Sequence, residues 1–191
     1  MTQDEYFSVH AGLTINVEPL ADNAICPDEQ AFSLEIPPLF RVASECCELE
    51  ENTERLLKKF GSDDSKALIA YLGAQNTKIN LLLSFVLSQQ DDPNLRFTTR
   101  TFGASRLSYL SAQALSVGQQ VRLKLFLNNP PAAIYCYAEV MACQPTEDAD
   151  RYEIELRYSR LLESDRDLLI RAALHVQQKL LRERAQQRTD S

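Results

Sequence analysis

Three arginines carry the strongest chemical signal in this 191-residue chain: Arg96 and Arg100, four apart in an RxxxR spacing, and Arg106 a short distance onward. On a strand, residues four apart point to the same face. Guanidinium is planar, permanently charged and able to donate two parallel hydrogen bonds, which suits phosphate oxygens and the faces of aromatic bases. The cluster fits a dinucleotide or another phosphate-bearing ligand. It fits equally a solvated strand face opposed to the acidic amino-terminal segment.

No catalytic constellation accompanies the arginines. His10 and His175 have no serine or cysteine partner in a recognisable motif, and the chain contains no Walker loop, dinucleotide fingerprint or two-histidine metal helix. Cys26, Cys46, Cys47, Cys136 and Cys143 form no CxxC pair, so they supply no metal framework and are expected to be reduced, mostly small apolar fillers. Neighbouring carboxylates such as Glu50 and Glu51 are expected on a solvated helix face. The expectation is a chain without catalytic residues, metal or resident cofactor.

Charge narrows the partners. The formal net charge of −7 argues against general binding to a nucleic-acid polymer, which depends on many cationic contacts to phosphate. Residues 1–55 carry twelve acidic and two basic side chains, while Lys179, Arg182, Arg184 and Arg188 crowd the carboxy-terminal end. Those cations either complement a helix dipole or draw an anionic ligand. No apolar run approaches the roughly 18 residues that span a bilayer and no cleavable leader pattern is present, so a soluble, cytoplasmic protein is expected.

The elements that must position these groups are legible from periodicity. Residues 1–20 contain a first strand, alternating from Leu13 to Val17 and ended by Glu18-Pro19, and residues 21–38, with Pro27, Pro37 and Pro38, read as a linker. From Leu39 the period changes: Leu39, Val42, Cys46, Leu49, Thr53, Leu56 and Phe60 alternate spacings of three and four, a heptad seam. Gly61 stops this helix, and Ser62, Asp63 and Asp64 cap a second, so residues 39–89 form a helical hairpin. The second helix places Leu68, Leu72, Gln75, Ile79, Leu82 and Val86 on one seam, widened by Ile69, Leu83 and Phe85.

Helices of roughly 22 and 26 residues exceed about 30 Å, longer than one small barrel covers. Either part of the hairpin meets another subunit, with Leu49, Leu56, Phe60, Leu68, Leu72, Ile79, Leu82 and Val86 at the contact, or the whole hairpin packs on its own domain. Polar Thr53 and Gln75 within the seams favour the first, because such groups restrict register and oligomer number. Residues 95–160 return to a period of two: Leu95 to Phe102, Arg106 to Leu110, Val121 to Leu127, Ala133 to Cys143 and Tyr152 to Tyr158 read as antiparallel strands of a small barrel. Ser164 with Asp165 and Asp167 opens a last helix over 164–188, apolar at Leu168, Leu169, Ala172, Ala173, Val176 and Leu180.

From Thr101 to Leu181 the chain resembles a PilZ domain. The string Phe102-Gly103-Ala104-Ser105-Arg106-Leu107-Ser108-Tyr109 stands where that family has its D/N-x-S-x-x-G loop and next strand, Val117-Gly118 leads into the alternating strand, Tyr152-Glu153-Ile154-Glu155-Leu156 takes the late strand, and Glu163-Ser164-Asp165-Arg166-Asp167 starts the closing helix. The strand at Tyr6-Phe7 resembles the family's first. The inserted hairpin is similar to that of the atypical, tetramer-forming branch. The resemblance implies an α+β, mainly β fold: a small antiparallel PilZ-like barrel, a two-helix hairpin inserted after the first strand, and a carboxy-terminal helix, in a single domain.

The same resemblance implies a non-enzymatic adaptor in cyclic di-GMP signalling that assembles with itself, as dimer or tetramer, and with a further protein partner. The family's RxxxR element near the first strand is missing, since Glu5-Tyr6-Phe7-Ser8-Val9 contains no arginine. In the loop, Thr101 replaces the acid or amide, Gly103 the serine and Arg106 the glycine. A cyclic di-GMP receptor built on Arg96, Arg100, Ser105 and Arg106 is the alternative.

Overall fold

The computed structural model describes residues 8–21, 24–57, 65–147 and 150–189, with side chains for all of these except 51–57, 65 and 187–189. Six antiparallel strands close a barrel: β2 (Thr14–Pro19), β3 (Arg96–Gly103), β4 (Arg106–Ser111), β5 (Gln120–Asn128), β6 (Pro131–Pro145) and β7 (Tyr152–Arg160). Its order is β3-β2-β5-β6-β7-β4, with β4 returning to β3. A seventh strand, β1 (Ser8–His10), pairs with the far end of β3. Helices α1 (Glu29–Glu35), α2 (Pro38–Leu57) and α3 (Ser65–Ser88) lie between β2 and β3 in the chain, and α4 (Glu163–Thr189) ends it.

The α+β class holds, although helical residues outnumber strand residues among those described, because α2, α3 and α4 each run for twenty residues or more. The first strand is divided into β1 and β2. Thr99 of β3 explains the division: its hydroxyl accepts from the Leu13 amide at 2.8 Å and donates to the Ala11 carbonyl at 2.7 Å. Gly12 sits at the break so close to β3 that a Cβ there would meet Thr98 Cγ2 at 2.8 Å. The stretch expected as a linker contains α1, capped by the Asp28 carboxylate on the Ala31 amide and ended where Ile36 turns extended before Pro37. The cap expected at Ser62 to Asp64, and Gly61 before it, lie outside the described residues.

Two apolar clusters divide the molecule. Inside the barrel, Ile15, Val17, Phe102, Leu107, Leu123, Leu125, Ile154 and Leu156 meet across the lumen, joined by Leu168, Leu169, Ala172 and Ala173 of α4 and by Cys47 of α2. Outside it, Phe126, Ala133, Tyr135 and Tyr137 form a wall covered by Phe32 of α1, Phe40 and Ala43 of α2, and Leu83 and Leu87 of α3. Phe32 stacks on Tyr135 with ring centroids 6.0 Å apart. Both tyrosine hydroxyls donate to Glu35, from Tyr135 at 3.0 Å and from Tyr137 at 2.5 Å. Their aromatic area is thus buried while each polar tip keeps an acceptor.

The Thr99 anchor can be tested by an isosteric change. Thr99→Val keeps the volume and leaves a buried amide and carbonyl without that partner, so urea unfolding should show a loss of about 1–3 kcal/mol.

Candidate functional site

Two surfaces deserve comparison as sites, the arginine strip on the barrel and the apolar face of the hairpin. On the strip, β4 and β7 run in a register that sets Ser108 against Glu155 and Leu110 against Glu153. Ile154 and Leu156 point into the barrel, so Glu153 and Glu155, which alternate with them, lie on its outside. Arg100 Nη1 donates to Glu153 at 2.8 Å and Arg106 Nη1 to Glu155 at 2.5 Å. A cavity of about 320 Å³ opens here, lined among others by Ser8, Thr101, Arg106, Ser108, Glu153 and Glu155.

Arg96 is elsewhere. It faces outward like Arg100, as the spacing requires, but its Nε pairs with Asp91 at 2.7 Å in the α3–β3 connection, where Asp91 also accepts from Asn16 at 2.7 Å. The three arginines therefore do not gather into one cluster: Arg100 and Arg106 bind β7, and Arg96 binds the root of the hairpin. Between them β3 carries an irregularity, with Thr99 opposite Tyr109 but Thr101 opposite Ser108.

Arg106 opens β4, and no described non-glycine residue has a positive φ, so the arginine at the family's glycine position carries no backbone strain. Ser105 serves through its backbone, its carbonyl accepting from the Tyr158 amide at 3.0 Å. The preceding carbonyl, of Ala104, accepts from Arg166 Nη1 at 2.9 Å and so ties the β3–β4 loop to α4. Each strip guanidinium faces one carboxylate at contact distance. The pairs are partly exposed and cancel one another's field locally, so the strip is less attractive to a dianion than its arginines alone would be.

On the hairpin, much of the seam expected from the heptads stays exposed, although Leu39 and Cys46 are partly buried against the outer wall of the barrel. Among the described side chains of α2, Phe40, Ala43 and Cys47 are buried, while Val42 and Leu49 are exposed. In α3, among the described side chains, only Leu83 and Leu87 are buried. Leu68, Leu72, Ile79, Leu82 and Val86 are exposed, from 38% at Leu72 to 67% at Leu82, and Tyr71, Leu81 and Phe85 extend the stripe. The side chain of Leu56 and all of Phe60 lie outside the described residues. Between the helices runs a groove of about 450 Å³ lined by Cys46, Leu49, Ile69, Leu72, Gly73 and Ile79, with Glu50 among its polar neighbours. Glu50, expected on a solvated face, instead accepts from Asn76 at 2.5 Å and from Asn80 at 3.2 Å, bridging α2 to α3.

Asp165 is a residue whose role the sequence pattern missed. It reads as a first-turn helix acid, yet it is 4% exposed and takes a 3.4 Å contact from the Ser44 hydroxyl of α2. Burial pushes its carboxyl up to about 6, with the Ser44 contact acting in the opposite direction. Burial also pushes the Cys47 thiol up to about 11 and raises Cys136, so both stay protonated at neutral pH. All five cysteines are free, and no metal-binding group of His, Cys, Asp and Glu occurs among the described residues. No described helix is long and apolar enough to cross a membrane.

The sequence matches no family profile and no curated protein. Solved structures do resemble it. A protein from Xanthomonas campestris, a tetrameric PilZ domain self-assembled via a helical bundle, aligns over 93% of this chain and 91% of its own with a TM-score of 0.55 and 16% identity. The inhibitor of motility MotI/DgrA of Bacillus subtilis aligns over 94% of this chain with a TM-score of 0.49 and 12% identity, and the chain spans about half of it (53%). The barrel, the inserted hairpin and the closing helix define a PilZ-like fold.

The buried Asp165 makes a pH prediction whose sign follows from its raised pKa. Above about pH 6 the folded protein holds a buried carboxylate at a cost; as pH falls from about 6 towards 3.8 the folded state takes up its proton first and that cost disappears. Asp165→Asn should therefore be more stable than the parent by about 1–3 kcal/mol at pH 7.5, and the difference should shrink towards zero near pH 4 in denaturant titrations.

Proposed function

We propose that this chain is a non-enzymatic, cytoplasmic adaptor of the PilZ family in cyclic di-GMP signalling, which assembles with itself through its helical hairpin and presents its barrels to a protein partner. The observation that carries this reading is the uncovered apolar stripe of α3, with Leu68, Leu72, Ile79, Leu82, Phe85 and Val86 all exposed on a helix anchored by Leu83 and Leu87 at one end. A contiguous stripe of that kind marks an interaction surface. Gln75 sits within its heptad, where a polar group limits the ways identical helices can pair. The self-assembly of the Xanthomonas protein via a helical bundle adds support.

The non-enzymatic part is supported by where the perturbed groups lie. Asp165, Cys47 and Cys136 owe their shifts to burial beneath helices, and none of them lines the open cavity beside Arg106. That cavity favours a second reading, a cyclic di-GMP receptor using Arg100, Ser105 and Arg106 with Arg96 at a distance. The carboxylates of Glu153 and Glu155 weigh against it.

Light scattering at micromolar concentration should give a dimer or tetramer, and Ile79→Glu combined with Leu82→Glu should weaken assembly at least about 100-fold while leaving the circular dichroism unchanged. A strictly monomeric parent overturns the assembly reading. Calorimetry with cyclic di-GMP separates adaptor from receptor: the adaptor reading expects no binding heat at high ligand excess, and saturable heat abolished by Arg106→Ala would establish the receptor.

A further inference from the structure

Among the described side chains, those of the carboxy-terminal half of α4 stand exposed. Every side chain across residues 177–186 is exposed, although the helix continues to Thr189. About 13 residues of helix, close to 20 Å, therefore project beyond Val176, the last residue of α4 that packs on the barrel core. An unsupported helix of that length is marginal in water even with favourable residues, so its persistence calls for tertiary or quaternary contacts. Its exposed residues include Leu180 and Leu181 together with Lys179, Arg182 and Arg184, against one acid, Glu183.

The helix dipole does not account for these cations. Its influence falls off within the last turn. Lys179 and Arg182 stand ten and seven residues before the end at Thr189, so roughly three and two turns away. Lys179 pairs with Glu183 at 3.9 Å, an exposed contact of little energy that leaves it open to a further partner. The chain itself is acidic overall, which disfavours both an anionic lipid surface and a nucleic acid as the cover.

We infer that the projecting end of α4 docks on the acidic outer face of α2 in a second copy of this chain. Charge complementarity and spacing select that face. Glu45 and Glu48 are exposed on α2 at a separation of three, matching the separation of Lys179 and Arg182 on α4, so each pair forms one patch on its helix. Within the same chain α2 meets the first half of α4, with Ser44 against Asp165 and Cys47 in one cluster with Leu168, Leu169, Ala172 and Ala173, while the side chains of 177–186 stay exposed. In a neighbouring copy the Glu45 and Glu48 face belongs to the hairpin already brought close by α3. The inference rests on the hairpin reading above for that proximity.

Charge exchange tests it. Lys179→Glu with Arg182→Glu, both fully on the surface, should fold normally by circular dichroism and weaken assembly about tenfold or more at low salt, with a smaller effect at high salt. Adding Glu45→Lys with Glu48→Lys should restore the parental mass, whereas Glu29→Lys with Glu147→Lys, which restore the same net charge at other exposed places, should not. Unchanged assembly in the α4 variant overturns this inference and leaves the hairpin reading standing. Weakened assembly that the α2 exchange fails to rescue, or that the control pair rescues equally, also overturns it. A monomeric parent overturns both.

Discussion

Strand β6 is buried on both of its faces, and the placement of the helices follows from how that burial is achieved. Its inward residues, Ala132, Ile134, Cys136, Ala138 and Val140, fill the barrel, and its outward residues, Ala133, Tyr135 and Tyr137, would be a naked apolar wall without cover. Covering that wall requires α1, the start of α2 and the end of α3 together, since Phe32, Phe40, Leu83 and Leu87 each take a part of it. Once both ends of the hairpin are fixed to the barrel, its middle has no further wall to lie on. The apolar stripe of α3 is uncovered for that geometric reason, and the clamp of Glu50 with Asn76 and Asn80 holds the two arms together along the uncovered length.

The arginine strip shows the opposite economy. Arg100 and Arg106 are ion-paired within the sheet, because the β4–β7 register places Glu153 and Glu155 within their reach. The β3–β4 loop, which in a nucleotide receptor of this fold would meet the ligand, is tied through its carbonyls to Tyr158 and Arg166. The exposed apolar surface of this chain lies mainly on the helices instead.

Much of this was open to inspection in the residues. Alternation over Val121 to Leu127 and heptad spacing over Leu39 to Leu49 are properties of a single element, set by how often a side chain returns to the same face. For that reason strands β3 to β7, the hairpin and α4 are found close to where the pattern puts them. The helix α1 escaped notice because seven residues with one buried side chain, Phe32, give too short a signal to repeat. The break between β1 and β2 depends on Thr99, far along the chain, and alternation within 8–19 holds no trace of it. The arginine trio is divided for the same reason: spacing specifies a face, while the partners Asp91, Glu153 and Glu155 come from other elements.

Sequence alone determined that a barrel and a helical hairpin exist, because periodicity is local and each element must show an apolar side. It also determined that the hairpin has more apolar surface than a small barrel can use. Only the tertiary structure decided which apolar residues stay in water. Phe40, Ala43 and Cys47 differ from Leu39, Val42 and Cys46 by a single position, about 100° around the helix, and nothing in the heptad distinguishes the two sets. The wall of β6 makes much of the choice: Phe40 and Ala43 are buried against it, Leu39 and Cys46 are partly buried at its margin, and Val42 stays exposed.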